Sequence, residues 1–225
     1  MHVDITVGQT RLRLLARRAI YWSQLQTLFV ADTHFGKDAT FRRHGIPVPT
    51  GSTAATLSIL SQMLATTSAK HLVILGDMFH ARSSLSEEVC DALSSFFARH
   101  AELRRTLVRG NHDAHLGPLP EAWSLEVVEP GTRMGNVALG HQPTTVPEDA
   151  DLLLCGHLHP ALSIGRGKDK LGKLPCFWLS KRCLVLPALG QFTGTYAIEM
   201  AANDRAWVVA DEQLIELAPP LDDIR

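Results

Sequence analysis

Aromatic side chains are scarce in this sequence: its 225 residues include only 6% Phe, Trp and Tyr, with no stripe of them at a regular spacing. That weighs against a dedicated channel in which a single nucleic-acid strand stacks base by base on aromatic rings. An excess of either charge is missing as well. A net charge of −1 excludes a strongly basic domain whose field alone binds nucleic acid, though not a local basic patch. The four cysteines, Cys90, Cys155, Cys176 and Cys183, form no C-x-x-C pair and have no regular spacing. They read as small, reduced core residues of a cytoplasmic protein rather than as a disulfide framework. No stretch approaches the ~18 consecutive apolar residues that span a bilayer. Arginines interrupt the opening MHVDITVGQTRLRLLARRAIYW, so neither a membrane segment nor a signal peptide is expected.

What is there is an ordinary globular composition, 45% apolar and 20% charged, at a length that one α/β domain fills. Residues 1–218 read as one folding unit and 219–225 as a frayed tail. One layout recurs five times: a short apolar run that reads as a buried strand, ended abruptly by a polar side chain able to bind metal. The runs are Leu28-Phe29-Val30-Ala31 before Asp32, Leu72-Val73-Ile74-Leu75 before Gly76-Asp77, and Thr106-Leu107-Val108 before Arg109-Gly110-Asn111-His112-Asp113. Val137-Ala138-Leu139 before Gly140-His141 and Leu152-Leu153-Leu154 before Cys155-Gly156-His157 complete the set. Ligands of open α/β sheets bind beyond the carboxyl ends of strands, so these five ends can converge on one site.

Helical spacing of apolar residues predicts helices over 53–68 and 85–104, the second opened by Ser84 and Glu87 as a capping box. Strand and helix alternate in the first half, which implies parallel βαβ units. After residue 120 the runs are short and strand-like (127–128, 177–179, 184–186, 197–198, 207–209) and suggest a second sheet packed on the first. The expected fold is therefore α/β, a four-layer α/β/β/α sandwich with its site at the carboxyl ends of the strands. Arg11 and Arg13 alternate with Leu12 and Leu14 on what reads as an exposed edge strand. The glycine-rich basic stretch 165–173 (GRGKDKLGK) reads as an exposed loop.

Collected in order, the strand ends supply Asp32 and His34, Asp77, Asn111 with His112 and Asp113, His141, and His157 with His159. This mixed N/O set without thiolate suits Mn²⁺, Fe or Zn²⁺ rather than Ca²⁺ or a structural zinc. It is large enough for two ions, and Asp77, flanked by glycine at a strand end, is the candidate bridging carboxylate. Each element alone is common by chance. The ordered set of five is not.

That ordered set, from Asp32 to His159, resembles the calcineurin-like metallophosphoesterase signature with no element missing. The resemblance implies one divalent ion on Asp32, His34, Asp77 and His159 and another on Asp77, Asn111, His141 and His157, with Mn²⁺ first among the metals. It also implies that His112 faces the scissile phosphate as general acid, that Asp113 orients it, and that a bridging hydroxide attacks phosphorus in line. The stretches ADTHFGKDATFRRHGIPVPTGSTAATL, LGDMFHAR and LPALGQFTG are similar to the bacterial ligase-associated DNA-damage-response endonucleases. That similarity implies DNA as substrate and a DNA ligase and a helicase as partners. Thr33 and Phe35 stand where aliphatic residues are expected in such relatives.

Around the ligands lie Lys37, Arg42, Arg43, His44, His80 and Arg82. Guanidinium groups suit phosphate oxygens, so Arg42, Arg43, His80 and Arg82 are candidate substrate contacts. A solvated surface, or pairing of the two arginines with Asp38 and Glu87, is the plainer reading. Arg166, Lys168, Lys170 and Lys173 can track a nucleic-acid backbone or simply keep a loop in water. Three functions remain: a DNA phosphodiesterase or nuclease of repair, a hydrolase of small phosphoesters, and an inactive scaffold. The complete ligand set disfavours the third.

Overall fold

The computed structural model describes residues 1–164 and 172–217. Its first sheet holds β1 (His2–Val7), β2 (Thr10–Leu15), β3 (Ala19–Trp22), β4 (Thr27–Val30), β5 (His71–Leu75), β6 (Arg104–Val108) and β7 (Leu125–Val128), side by side in chain order. Short turns make β1 to β4 an antiparallel meander. The pairs from β4 to β7 are parallel and need long crossovers. Helices α1 (Lys37–Arg43) and α2 (Ser52–Thr67) fill the first crossover and α3 (Glu87–Arg99) the second.

The second sheet holds β8 (Arg133–Met134), β9 (Val137–Leu139), β10 (Leu152–Cys155), β11 (Pro160–Ile164), β12 (Gly172–Ser180), β13 (Cys183–Val185), β14 (Tyr196–Ala197), β15 (Arg205–Ala210) and β16 (Gln213–Leu217). Its order is β14-β11-β12-β13-β10-β9-β8, with β15 on β12 and β16 on β15. Successive side chains of a strand point to opposite faces, and β4 and β5 serve two cores. Leu28, Val30, Leu72 and Ile74 pack against Leu60, Leu64, Leu93 and Phe96 of α2 and α3. Phe29, Val73 and Leu75 face Leu154, Phe177, Leu184 and Trp207 of the second sheet. Both faces of these strands are covered, which is why they read as unbroken apolar runs.

The expected sandwich is present, and among the described residues its outermost layer beyond the second sheet is built from loop segments, with Val146 and Ala150 packed on Leu153 and Cys155. Several local expectations are corrected. Val127 and Val128 belong to β7 of the first sheet, paired to Leu107 and Val108 of β6, not to the second sheet. The strand with Arg11 and Arg13 lies between β1 and β3, so β1 is the edge, and both arginines pair with Asp4. The second long helix runs 87–99 rather than 85–104. Leu103 packs into the same core as Phe96 and Phe97, so the apolar period continues past the helix end. Its N-cap is Ser86, whose Oγ accepts from the Val89 N–H at 3.4 Å, while Ser84 instead bonds Thr40 of α1 at 3.1 Å. Of the predicted basic loop, residues 165–171 lie outside the described residues, and Gly172 and Lys173 begin β12.

Candidate metal centre

Five of the seven residues expected as ligands adopt a left-handed backbone: Asp32 (φ 51°), His34 (φ 43°), Asp77 (φ 50°), His157 (φ 70°) and His159 (φ 50°). For side chains with a Cβ this conformation costs about 1 kcal/mol or more each, and its clustering at strand ends marks loops shaped for a task. The loops hold each other in place. After β4 and β5 the chain runs side by side, with Asp32 N–H donating to Gly76 O at 3.2 Å and His34 N–H to Asp77 O at 3.1 Å. Gly76 has no room for a side chain, because a Cβ there would lie 2.2 Å from His141 Nδ1.

The side chains gather into two groups. Asp32, His34 and His159 bring one ligand atom each within 4.8 Å of the others, and so do Asp77, His141 and His157. In the first group His34 Nε2 faces His159 Nε2 at 3.4 Å, and His159 Nε2 faces Asp32 Oδ1 at 3.5 Å. In the second, His141 Nε2 lies 2.9 Å from Asn111 Oδ1, 3.3 Å from Asp77 Oδ2 and 3.1 Å from His157 Nδ1. Asp77 belongs to the second group through His141, and its backbone carbonyl accepts from the His34 N–H of the first.

These donor atoms fit a pair of divalent cations. A carbonyl oxygen only accepts, so His141 Nδ1 must donate to Leu75 O and His159 Nδ1 to Gly194 O, both at 3.0 Å. Each bond leaves the Nε2 lone pair aimed inward, as ligand imidazoles are commonly oriented. Asp32 Oδ1 and His34 Nδ1 are buried with no hydrogen-bond partner, a costly state for polar groups. Lone pairs crowded together need a proton or a cation between them. Burial pulls the His141 pKa down, but Asp77 and the Leu75 carbonyl outweigh it and leave it raised; a divalent ion takes that proton's place. Burial pushes His34 down to about 3, with the Lys37 charge adding to it, and burial together with the His141 charge lowers His157. Both are therefore neutral imidazoles. Burial alone would raise the Asp77 carboxyl, yet its bonds to His141 and the His112 N–H hold it below the usual range.

His112 lies beside these groups rather than within them, with its side chain 37% exposed and Nε2 3.8 Å from Asp77 Oδ2. His80 packs against it with ring centroids 5.0 Å apart and touches His34 edge-on at 5.6 Å. Asp113 Oδ1 accepts from Met78 and Phe79 N–H and its Oδ2 from Gly110 N–H, so it fastens the loops after β5 and β6, the second of which carries His112. Burial raises the Asp113 pKa despite these bonds.

The basic residues sort into two kinds. Arg42 pairs with Asp38 at 3.1 Å and donates to Pro49 O, and Arg43 donates to Ser83 O rather than pairing with Glu87. Arg82 is exposed on the turn beneath α1. Lys37, by contrast, is buried in the first turn of α1; burial lowers its pKa, and the nearby Asp32 and Asp77 charges pull it back. Sequence reasoning did not foresee the part of residues 189–194. Leu189 and Gly190 N–H donate to Ala31 and Asp32 carbonyls, and Gly194 O fixes His159. The signal was available in LPALGQFTG, a run of small and turn residues with no ligand of its own.

Two face-to-face sheets with a dinuclear set of N/O donors at their strand ends define a metal-dependent phosphoester hydrolase. A family model for calcineurin-like phosphoesterases matches residues 25–140, and the chain belongs to that family. Among solved structures it is similar to the nuclease MPE of Pseudomonas putida, at 33% identity over 96% of this chain and 100% of that one, with a TM-score of 0.83. The Yfce phosphoesterase of E. coli matches at 17% identity over 85% of this chain and 98% of that one, with a TM-score of 0.41. No curated protein sequence matches the chain significantly. No helix among the described residues is long and apolar enough to cross a membrane.

Proposed function

We propose that this phosphoesterase is a phosphodiesterase that cleaves DNA, an endonuclease of damage repair, with Mn²⁺ as its metal. Asp32, His34, Asp77 and His159 hold one ion and Asp77, Asn111, His141 and His157 the other. The observation that carries the dinuclear half is the crowding of inward-facing acceptors into two neighbouring groups, with His34 of the first bonded through its backbone N–H to the carbonyl of Asp77 in the second. Oxygen and imidazole donors without thiolate suit Mn²⁺, with Fe or Zn²⁺ as alternatives. The DNA half is supported by the likeness, along nearly the whole chain, to a protein named as a nuclease.

When bound, two such ions neutralise phosphate oxygens and acidify water for in-line attack at phosphorus. The chain's own residues do the rest. Leu75 O and Gly194 O keep His141 and His159 in the tautomer that presents Nε2. His112, outside both groups and open to the cleft, gives its proton to the leaving oxygen. Asp113 holds the His112 loop against β5 through backbone bonds. Arg43 and Arg82, with His80 behind them, face the substrate beyond the metals, whereas Arg42 serves Asp38.

The cysteine pattern without a disulfide framework supports a cytoplasmic protein, and the resemblance adds a DNA ligase and a helicase as partners to test. The deciding experiment is a substrate panel with Mn²⁺ that compares DNA ends, nicks and single strands with a small aryl phosphodiester. Turnover of the aryl ester alone would move the function to small phosphoesters.

A further inference from the structure

Helix α1 carries a cation that, among the described residues, makes no close ion pair, although the Asp32 and Asp77 charges lie near enough to act on it. Lys37 follows His34 by one helical turn, and its backbone N–H donates to the His34 carbonyl at 3.2 Å. The residue is 7% exposed, and its Nζ lies 5.6 Å from the centroid of the Phe41 ring. Phe41 meets His80 edge-on at 6.1 Å, and His80 in turn lies against both His112 and His34. The ammonium therefore belongs to the same wall of the cleft as His80 and His112, beside the two acceptor groups.

The ion pairs recorded around the site join histidines to Asp32 and Asp77, and Arg42 of the same helix to Asp38. Among the described residues, Lys37 takes part in none of them. A lysine stem is readily buried along apolar surface, but an ammonium held in a part-desolvated cleft with no carboxylate in direct contact, only the more distant Asp32 and Asp77 charges, is unfavourable. The Phe41 face offsets only part of that. An incoming anion reverses the sign, because the partly buried charge then gains a charge-assisted hydrogen bond.

We infer that Lys37 is a substrate-binding residue whose ammonium takes a non-bridging oxygen of the phosphate that is cleaved. The inference rests on the proposed two-metal reading and adds a third, protein-borne positive charge to it. The scissile phosphate is the target rather than a more distant one, because the contacts Phe41–His80–His112 lead from Lys37 to the residue placed at the leaving oxygen.

Lys37→Met keeps the length of the stem and removes the charge. With both proteins loaded with Mn²⁺, three quantities are measured: bound metal per chain, affinity for inorganic phosphate by calorimetry, and kcat and KM on a small aryl phosphodiester. The expected result is unchanged metal content, phosphate binding weaker by roughly ten- to a hundred-fold, the worth of one charged hydrogen bond, and a matching fall in kcat/KM. Lys37→Arg should recover part of both losses. Unchanged phosphate affinity with the metals in place overturns the inference. Loss of the metals in Lys37→Met overturns it too, because the lysine would then organise the ligands rather than the substrate. A wild type that takes up Mn²⁺ yet hydrolyses no phosphoester contradicts the proposed function instead, and phosphate affinity alone then decides the role of Lys37.

Discussion

The backbone N–H of His157 donates to Oδ2 of Asp32 at 2.8 Å, across 125 positions of chain. The bond joins the end of β10 in the second sheet to the end of β4 in the first, and it leaves Oδ1 of Asp32 free to face His159. The two halves of the donor set are thus locked together by backbone as well as by any ion they hold.

That lock depends on Gly156. A Cβ at this position would lie 2.4 Å from Asp32 Oδ2 and 2.6 Å from the Ala31 side chain, so Gly156→Ala must push the two strand ends apart. We expect a loss of about 1–3 kcal/mol in stability, as for other overpacked sites, together with weaker Mn²⁺ uptake. Thermal melts and a metal titration test this. A variant that melts and loads like wild type would mean that the strand ends are not tightly apposed.

Asp77 is proposed to serve both ions. Asp77→Ala should therefore remove both and abolish nearly all turnover, whereas Asn111→Ala should mainly weaken one. Metal content per chain, measured for each variant, separates the two cases. Full occupancy in Asp77→Ala at wild-type rate would end the shared-carboxylate assignment.

The strands that bear the site were legible because both of their faces are buried, which writes them as unbroken apolar runs with a polar stop. The candidate ligands could be named from residue type and order, and six of the seven stand in the two acceptor groups. Contacts made through space were not legible. Val127 and Val128 give the same short apolar signal whether they join one sheet or the other, and only the register with Leu107 and Val108 decides it. Ser84 and Ser86 both precede an acidic turn, and the choice of cap follows from Thr40 claiming Ser84. The resemblance implies that Asp113 orients His112, and the bonds from its carboxylate to the backbone after β5 are contacts that sequence order does not show. Arg42 and Lys37 looked alike as cations near the ligands, and the position of Asp38 one turn away separates them.

His71 gives a pH test away from the metals. Its Nε2 bonds Thr106 at 2.8 Å between β5 and β6, and burial, with Arg104 adding and Glu126 opposing, pushes its pKa down to about 4 from 6.5. The folded pKa lies below the unfolded one, so the unfolded chain takes up the proton first as pH falls. This contribution is therefore complete above about pH 6.5 and is lost as pH drops toward 4, to a limit of about 3 kcal/mol. His71→Asn should be less stable at pH 7.5 but lose less between pH 6.5 and 4. Urea unfolding of both proteins in chelator measures the difference, and parallel stability curves would refute the assignment.

His112 is the sharpest test of the chemistry, because its ring stands outside both acceptor groups and its backbone N–H, not its side chain, bonds Asp77 Oδ1 at 3.0 Å. A side-chain deletion should leave that bond, and with it the placement of Asp77, intact. His112→Ala is therefore expected to bind two ions per chain as the wild type does while kcat falls by ~10²–10⁴-fold, the usual range for lost proton transfer. The size of the fall should depend on the leaving group. An alkoxide departing from a DNA strand needs the proton, so that substrate should suffer the full loss. A nitrophenolate departs without one, and its hydrolysis should be much less affected. The measurement is kcat for wild type and variant on a DNA strand and on nitrophenyl esters of graded leaving-group pKa, with metal content checked in each preparation. A steeper dependence of rate on leaving-group pKa in the variant is the signature of a missing general acid. Equal losses across the series, with both ions present, would instead leave His112 as a residue that orients the phosphate and would place the proton donor elsewhere, with His80 next to it as the first residue to substitute.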